Sequence, residues 1–367
     1  MTDRTQTSTY GLGALGQGAI QFALRERTFL ILIAVLFFLC GATYPIPHIA
    51  MWVGFAVAGY SAVANDSIQT IGTFITSNRR QKWWVLWLFI GGIFLATMTY
   101  SWVVYDGDVS FARLRSKGFD TTPTSFNFIQ IAAPVFLLIL TRLRMPVSTT
   151  FLLLSTFAGG ASSLGGVLMK SFNGYILAFI VAIVMWLSVS RLLERSFRRD
   201  PHPLWMPAQW VTSGILWCVW LQQDAANIAV FLPRSLDTPQ FLGFVLPVFF
   251  GLGALFYMGG DKVQEVIDEK SSVQDVRAAT VIDLVYAVIL YYFQVVSQVP
   301  MSTTWVFVGL LAGREIAMAI RQVSGRTVRD ALALAGKDLV YVTIGLLVSI
   351  VLALAGNETL RAQVLGS

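Results

Sequence analysis

Ala64-Asn65-Asp66-Ser67-Ile68-Gln69 lies inside an apolar run from Pro47 to Ser77. Gln222-Gln223-Asp224-Ala225-Ala226-Asn227 lies inside a second such run, 204–233. Both follow one pattern: amide, Asp, two small or apolar residues, amide. A carboxylate in apolar surroundings is expensive unless it is paired, protonated or bound to a cation. The two runs hold 31 and 30 residues. As straight helices each would extend about 45 Å at about 1.5 Å per residue, against a hydrocarbon core of about 30 Å. Each is therefore expected to be broken, re-entrant or steeply tilted. A broken helix with a carboxylate at membrane depth marks a binding site.

A second pair of motifs lies further along: Met145-Pro146-Val147-Ser148-Thr149-Thr150 and Val299-Pro300-Met301-Ser302-Thr303-Thr304. The offset is 158 residues for the Asp pair and 154 for the Ser pair. Two unrelated motifs recurring in one order at nearly one spacing make an internal repeat of about 155 residues. Arg79, Arg80 and Lys82 follow the first acidic motif, whereas only Arg234 stands near the same point of the second half. Arg142 and Arg144 precede the first hydroxyl motif, and uncharged Ser297 and Gln298 precede the second. Since Lys and Arg collect on cytoplasmic ends, the halves are expected to be inverted.

The fold class that follows is an all-α polytopic membrane protein of two inverted-topology repeats with broken or re-entrant helices. The expected organisation is a polar tail over 1–27, an extra transmembrane helix over 28–44, a first repeat over 47–200, a second over 201–356 and a C-terminal tail over 357–367. Besides the two long runs, spans are expected near 84–105, 126–141, 146–169, 174–190, 241–259, 279–296, 301–320 and 338–356. That gives 11 crossings with a cytoplasmic N-terminus, in a bacterial inner membrane. Arg113, Arg115 and Lys117, in a loop placed outside, run against the charge rule.

Composition agrees. Of 367 residues, 56% are hydrophobic and 13% charged, where soluble domains carry about 25% charged. The natural solvent is lipid, so the bilayer is the expected partner. The net charge of +6 fits basic cytoplasmic loops, and no basic run is interleaved with aromatics as a nucleic-acid surface would be. Cys40 and Cys218 lie in apolar stretches, and His48 and His202 are isolated, so neither a disulfide framework nor a metal cluster is expected. No G-x-x-x-x-G-K-[ST] loop and no Ser-His-Asp arrangement is present. The chain is not expected to be an enzyme or to hold a resident cofactor.

Proline cannot continue a preceding helix, and Ser or Thr is a favoured N-cap. Each Pro-x-Ser-Thr-Thr is thus expected to start a helix, whose free N–H groups and partial positive charge suit an anion. Ser148, Thr149, Thr150, Ser302, Thr303 and Thr304 are the candidate anion-binding residues. Asn65, Asp66, Gln69, Gln223, Asp224 and Asn227 are the candidate cation-binding residues, with oxygens suited to Na⁺ or a carboxylate that takes a proton. No basic residue lies within either long run to pair with the acids. The plainer alternatives are helix caps for both motifs. Asp283 is expected to cap a helix, and Arg314-Glu315 to be a charge pair at a span end.

The chain resembles the inorganic phosphate transporter (PiT) family, which includes sulfate permeases. Ala64-Asn65-Asp66 and Pro146-Val147-Ser148-Thr149-Thr150 match that family's Gly-Ala-Asn-Asp-x-x-Asn and Pro-Val-Ser-Thr-Thr signatures, and the likeness extends over about 47–356. Val63 stands for the family glycine, Gln69 for the last Asn, and Gln222-Gln223 for Ala-Asn. The resemblance implies symport of phosphate with Na⁺ or H⁺ by alternating access, the hydroxyls holding the anion and the Asp and amide residues the cation. Each Asn-to-Gln exchange moves an amide oxygen by about 1.3–1.5 Å, enough to alter a cation site. Sulfate or another small oxyanion is the alternative cargo. From other classes, an anion channel or a membrane-embedded anion sensor is the alternative, the sensor using Asp261–Arg277 to meet a partner. A homo-oligomer is compatible with all of these.

Overall fold

The computed structural model describes residues 24, 26–116, 119, 121–143, 145, 147–158, 161–197, 200–257, 275–293, 302–322 and 325–366; the side chains of 66–69, 116, 161–164, 166–167, 170, 189–197 and 365 lie outside the description. All secondary structure among them is helical. In chain order the α-helices are α1 (Arg27–Thr43), α2 (Pro47–Ser77), α3 (Trp83–Val104), α4 (Arg113–Ser116), α5 (Phe128–Arg142), α6 (Ala161–Phe197), α7 (Trp205–Ala229), α8 (Thr238–Tyr257), α9 (Val276–Tyr291), α10 (Thr303–Ile320), α11 (Val328–Gly356) and α12 (Glu358–Leu365). Between α5 and α6 lies a tight segment, π-helical over Thr150–Leu154 and 3₁₀ over Ser155–Phe157.

Among the described residues, six helical stretches are long and apolar enough to cross a bilayer: Pro47–Asn65, Trp83–Val104, Ser171–Ser188, Thr238–Tyr257, Thr303–Ile320 and Val328–Gly356. Arg27–Thr43 and Phe128–Arg142 are shorter apolar helices. Large apolar side chains stay exposed on the outer helices, such as Val35 and Phe38 on α1 and Leu347 and Val351 on α11. Helices apolar on the exposed face as well as the packed one belong in lipid. The chain is an integral membrane protein.

Of the alternatives expected for the long acidic runs, broken, re-entrant or steeply tilted, the helices show no interruption at the acids. α2 is one continuous helix of 31 residues, and α7 runs unbroken for 25 before a turn at 230–233. Neither helix has a proline beyond its first turn, so nothing forces a break near the acids. Pro47–Asn65 of α2 is long and apolar enough to span, and the helix continues past Asp66 to Ser77. The break falls at the first hydroxyl motif. The span expected over 146–169 is instead the short 150–157 segment, which ends at Ala158 in an extended conformation; a new helix, α6, begins at Ala161 and absorbs the span expected over 174–190. Asn357, expected to open a tail, caps α12 through the Leu360 N–H, and its side chain donates to Ala158 O at 2.6 Å.

Packing pairs the two halves. α2 packs on α5 as α7 packs on α9; α3 meets α7 as α8 meets α2; α2 meets α7 and α3 meets α8. The first hydroxyl segment lies against α11 and the second, at the start of α10, against α6. Each hydroxyl segment is therefore supported by the long helix of the other half. α6 and α10 touch backbone to backbone: a Cβ built on Gly309 would stand 2.5 Å from Tyr175 O, and one on Gly313 would stand 2.3 Å from Phe179 O. Gly309-Leu310-Leu311-Ala312-Gly313 is the small-xxx-small pattern that lets membrane helices approach this closely.

Candidate functional site

The two hydroxyl motifs form the starts of two helical segments. Ser302 is the N-cap of α10, its Oγ accepting from Trp305 N at 3.4 Å. Ser148 Oγ accepts from Phe151 N at 3.2 Å in the first copy. Pro146 and Pro300 lie outside the described residues. Ser148, Thr149, Thr150, Ser302, Thr303 and Thr304 are all buried. Hydroxyls buried in an apolar protein must find partners, and the partners chosen define the site.

The first hydroxyl segment is where the motifs meet. Val147 O accepts from Asn65 Nδ2 and from Thr304 Oγ1, each at 3.0 Å. Thr150 Oγ1 accepts from Asn227 Nδ2 at 3.1 Å. Residues 147–150 thus bind the acidic motif of their own half, the acidic motif of the other half and the other hydroxyl motif. Asn65 is fixed on its second side by Thr141, which donates to Asn65 Oδ1 at 3.0 Å. Asn227 also donates to Asp224 Oδ1. Its own Oδ1 is buried and accepts no hydrogen bond among the described residues. Gln223 and Asp224 are buried beside it. The side chains of Asp66 and Gln69 lie outside the described residues, although their backbone belongs to α2.

Four of the twelve candidates, Asn65, Thr150, Asn227 and Thr304, are linked through two acceptors one turn apart. Asp224 joins them through Asn227. Ser148 and Ser302 serve their own helix starts; Ser302 N donates to Ser171 Oγ on α6, and Thr303 O accepts from Tyr286 OH, both at 3.0 Å. Among the described residues the arrangement brings together buried hydroxyls, amide oxygens and the Asp224 carboxylate. Those are hard oxygen donors for a cation and hydrogen-bond donors for an oxyanion. Among the described residues no cluster of His, Cys, Asp and Glu is suited to a metal ion.

Three charged features depart from what the sequence alone suggests. Asp283 does not cap its helix; Asp275 does, accepting from Arg277 N. Asp283 lies two turns inside α9, buried, and accepts from Thr73 on α2 at 2.6 Å and from Ser213 on α7. It ties together the two helices that carry the acidic motifs. Its signal was present in the sequence, as an acid in the middle of Val281-Ile282-Asp283-Leu284-Val285. The second is Arg113. No arginine lies within the acidic runs, but α4 packs against α7 and brings Arg113 into electrostatic range of Asp224. Burial pushes the Arg113 guanidinium down to about 10, and the Asp224 carboxylate acts against that shift. Arg115 stands 4.0 Å from Asp108. Arg314 and Glu315 are buried within α10 and do not sit at its end; Arg314 Nη1 donates to Glu315 at 3.0 Å and the guanidinium lies 5.4 Å over the Trp186 ring.

Neither a protein-family model nor a curated relative matches the sequence. A solved structure described as "The sodium-dependent phosphate transporter" is similar at a TM-score of 0.57, with 18% identity over 86% of this chain and 98% of that one. At this identity the likeness is one of fold.

Proposed function

We propose that the chain is a secondary active transporter that imports inorganic phosphate together with Na⁺ or a proton. The observation that carries this reading is the convergence on residues 147–150 of Asn65, Asn227 and Thr304, from both acidic motifs and the opposite hydroxyl motif. In this reading Ser148, Thr149, Thr150, Ser302, Thr303 and Thr304 hold the anion, and Asn65, Asp66, Gln69, Gln223, Asp224 and Asn227 hold the cation. The two sites share the Asn227–Thr150 bond, so occupancy of one is felt by the other. That is the requirement for coupling: each ligand must bias the state the other prefers.

The exchange of packing partners between halves supports a pair of inverted repeats that rock about this layer. The similar structure, itself a sodium-dependent phosphate transporter by description, supports the same cargo and favours Na⁺. The expected setting is a bacterial cytoplasmic membrane with the N-terminus inside. Sulfate is the second reading of the cargo, on the same hydroxyls.

The test is uptake of radiolabelled phosphate into proteoliposomes, with and without an inward Na⁺ gradient, and with a proton gradient in a third arm. Saturable, gradient-driven uptake is expected. Uptake under neither gradient removes phosphate as the cargo, and flux that neither saturates nor follows a gradient identifies a channel. Within a working assay, Thr150→Val keeps the shape and deletes the hydroxyl that Asn227 binds. One hydrogen bond at a buried site is worth about 1–2 kcal/mol. The KM for phosphate is therefore expected to rise about tenfold with the yield of folded protein unchanged. An unaltered KM would take Thr150 out of the anion site.

A further inference from the structure

The connection between α3 and α5 is tied down along its length, and the ties come from the chain on either side of it. Gly107 N donates to Trp102 O at 2.7 Å, and Ser101 Oγ donates to Asp108 O at 2.7 Å. Ser235 Oγ donates to Asp106 O at 2.6 Å, Leu236 N to Gly107 O at 2.9 Å, and Trp102 Nε1 to Leu236 O at 2.8 Å. Further along, buried Arg234 donates to Phe119 O at 2.7 Å and to Thr121 O at 3.1 Å, while also holding Leu232 O at 2.6 Å. Ser235, Leu236 and Arg234 all belong to the turn that leaves α7, the helix that carries Asp224.

Between those ties the backbone takes a costly path. Phe111 and Ala112 both have positive φ, 56° and 55°. A non-glycine residue in the left-handed region costs about 1–2 kcal/mol, and such costs persist only where the surroundings impose them. The path leads straight into α4, whose first residue is Arg113 and which packs on α7. Arg113 N donates to Ser110 O at 3.1 Å, and Leu114 beside it is buried. The hook is thus fastened to the turn that ends α7, with Arg113 Nε buried and α4 packed on α7.

We infer that Arg113 is a resident counter-charge for Asp224, held on this hook, against which the transported monovalent cation competes. The inference rests on the reading of Asp224 as a cation ligand given above. Two consequences follow. The empty site is not left with a lone buried carboxylate, so the unloaded protein can change state without a cation. The affinity for the cation is also set lower than the oxygen ligands alone would give, because Na⁺ enters a site that already faces a positive charge. Burial of Arg113 and its electrostatic coupling to Asp224 agree with this placement.

The experiment uses the purified full chain in detergent, with Na⁺ alone as the probe. Thermal stability is followed while Na⁺ replaces choline at constant ionic strength, for the unsubstituted protein, Arg113→Gln, Arg113→Met, Arg113→Lys and Asp224→Asn. Ligand that binds only the folded state raises its stability, so the midpoint of the rise reports affinity. Removing a unit charge several ångströms away, at an effective dielectric of about 20, is expected to lower the Na⁺ midpoint about tenfold in the neutral variants. Either neutral variant suffices if the other does not fold. Arg113→Lys keeps the charge and is expected to stay within about twofold of the parent, which separates charge from shape. Midpoints that are unchanged or raised in the neutral variants, while Asp224→Asn abolishes the response, overturn the inference and leave the site reading intact. A Na⁺ response that survives Asp224→Asn overturns both. An absent response in the unsubstituted protein overturns the inference and Na⁺ as coupling ion together.

Discussion

Asp224→Asn is expected to lower gradient-driven phosphate uptake by at least about a hundredfold while the protein remains folded. The substitution changes one atom. Asn keeps an oxygen where Asp224 Oδ1 accepts from Asn227 Nδ2, so the Asn227–Thr150 bond has no steric reason to move. What is lost is the negative charge. A cation that leaves water for a buried site needs that charge, since neutral amide and hydroxyl oxygens replace hydration less completely. The loss of several kcal/mol of differential binding corresponds to more than a hundredfold. Uptake into proteoliposomes and size-exclusion profiles together check the result. Coupled uptake within about threefold of the parent would remove Asp224 from the mechanism. The same change leaves Arg113 facing a neutral side chain. Breaking a buried pair from one side is costlier than removing both charges. Asp224→Asn with Arg113→Gln is therefore expected to be more stable than Asp224→Asn alone, and a double-mutant cycle measures the difference.

The sequence made the architecture legible and hid the tertiary pairings. Apolar lengths and the repeated motifs located α2, α3, α5, α7, α8, α9, α10 and α11 to within a few residues, except that α11 begins ten residues before the expected 338. Length arithmetic left break, re-entry and tilt open for the long runs, and α2 is one continuous helix of 31 residues. The irregular turn went instead to Ser148–Phe157, where Ser155 Oγ bonds back to Phe151 O and Thr156 Oγ1 to Leu153 O at 2.8 Å. Hydroxyls that bond to the preceding turn compete with regular helix, and nothing in a hydropathy count registers them. Asp283 was visible but was assigned a cap because it stood near an estimated helix start; the true start lies seven residues earlier, at Val276. Arg113 had no local signal at all. Its partner is 111 positions away, and the packing of α4 on α7, with the ties from Ser235 and Arg234 in the turn after α7, brings the two together.

Gly313→Val is expected to cost the protein roughly 10 °C of thermal stability and nearly all of its transport, and the two losses have one cause. The added Cβ would stand 2.3 Å from Phe179 O and 2.9 Å from Ala182 Cβ. A carbonyl engaged in the α6 backbone cannot rotate aside as a side chain would, so the helices must separate. Overpacking of this kind costs about 1–3 kcal/mol, and at about 2–4 °C per kcal/mol the melting point falls by that order. Gly251→Ala, where nothing lies within 4 Å, is the control and is expected to be neutral. The functional loss follows from what α10 carries. Its N-terminus is Ser302, whose N–H donates to Ser171 on α6, and two residues on is Thr304, whose hydroxyl reaches Val147 O at 3.0 Å. A hydrogen bond at that distance does not survive a displacement of about 1 Å. The α6–α10 contact is thus the support on which the second hydroxyl motif is held against the first. Gly313→Val protein that stays folded at low temperature yet takes up no phosphate would establish that link. Transport undiminished at a temperature where the variant is folded would show that the hydroxyl layer is positioned by some other contact.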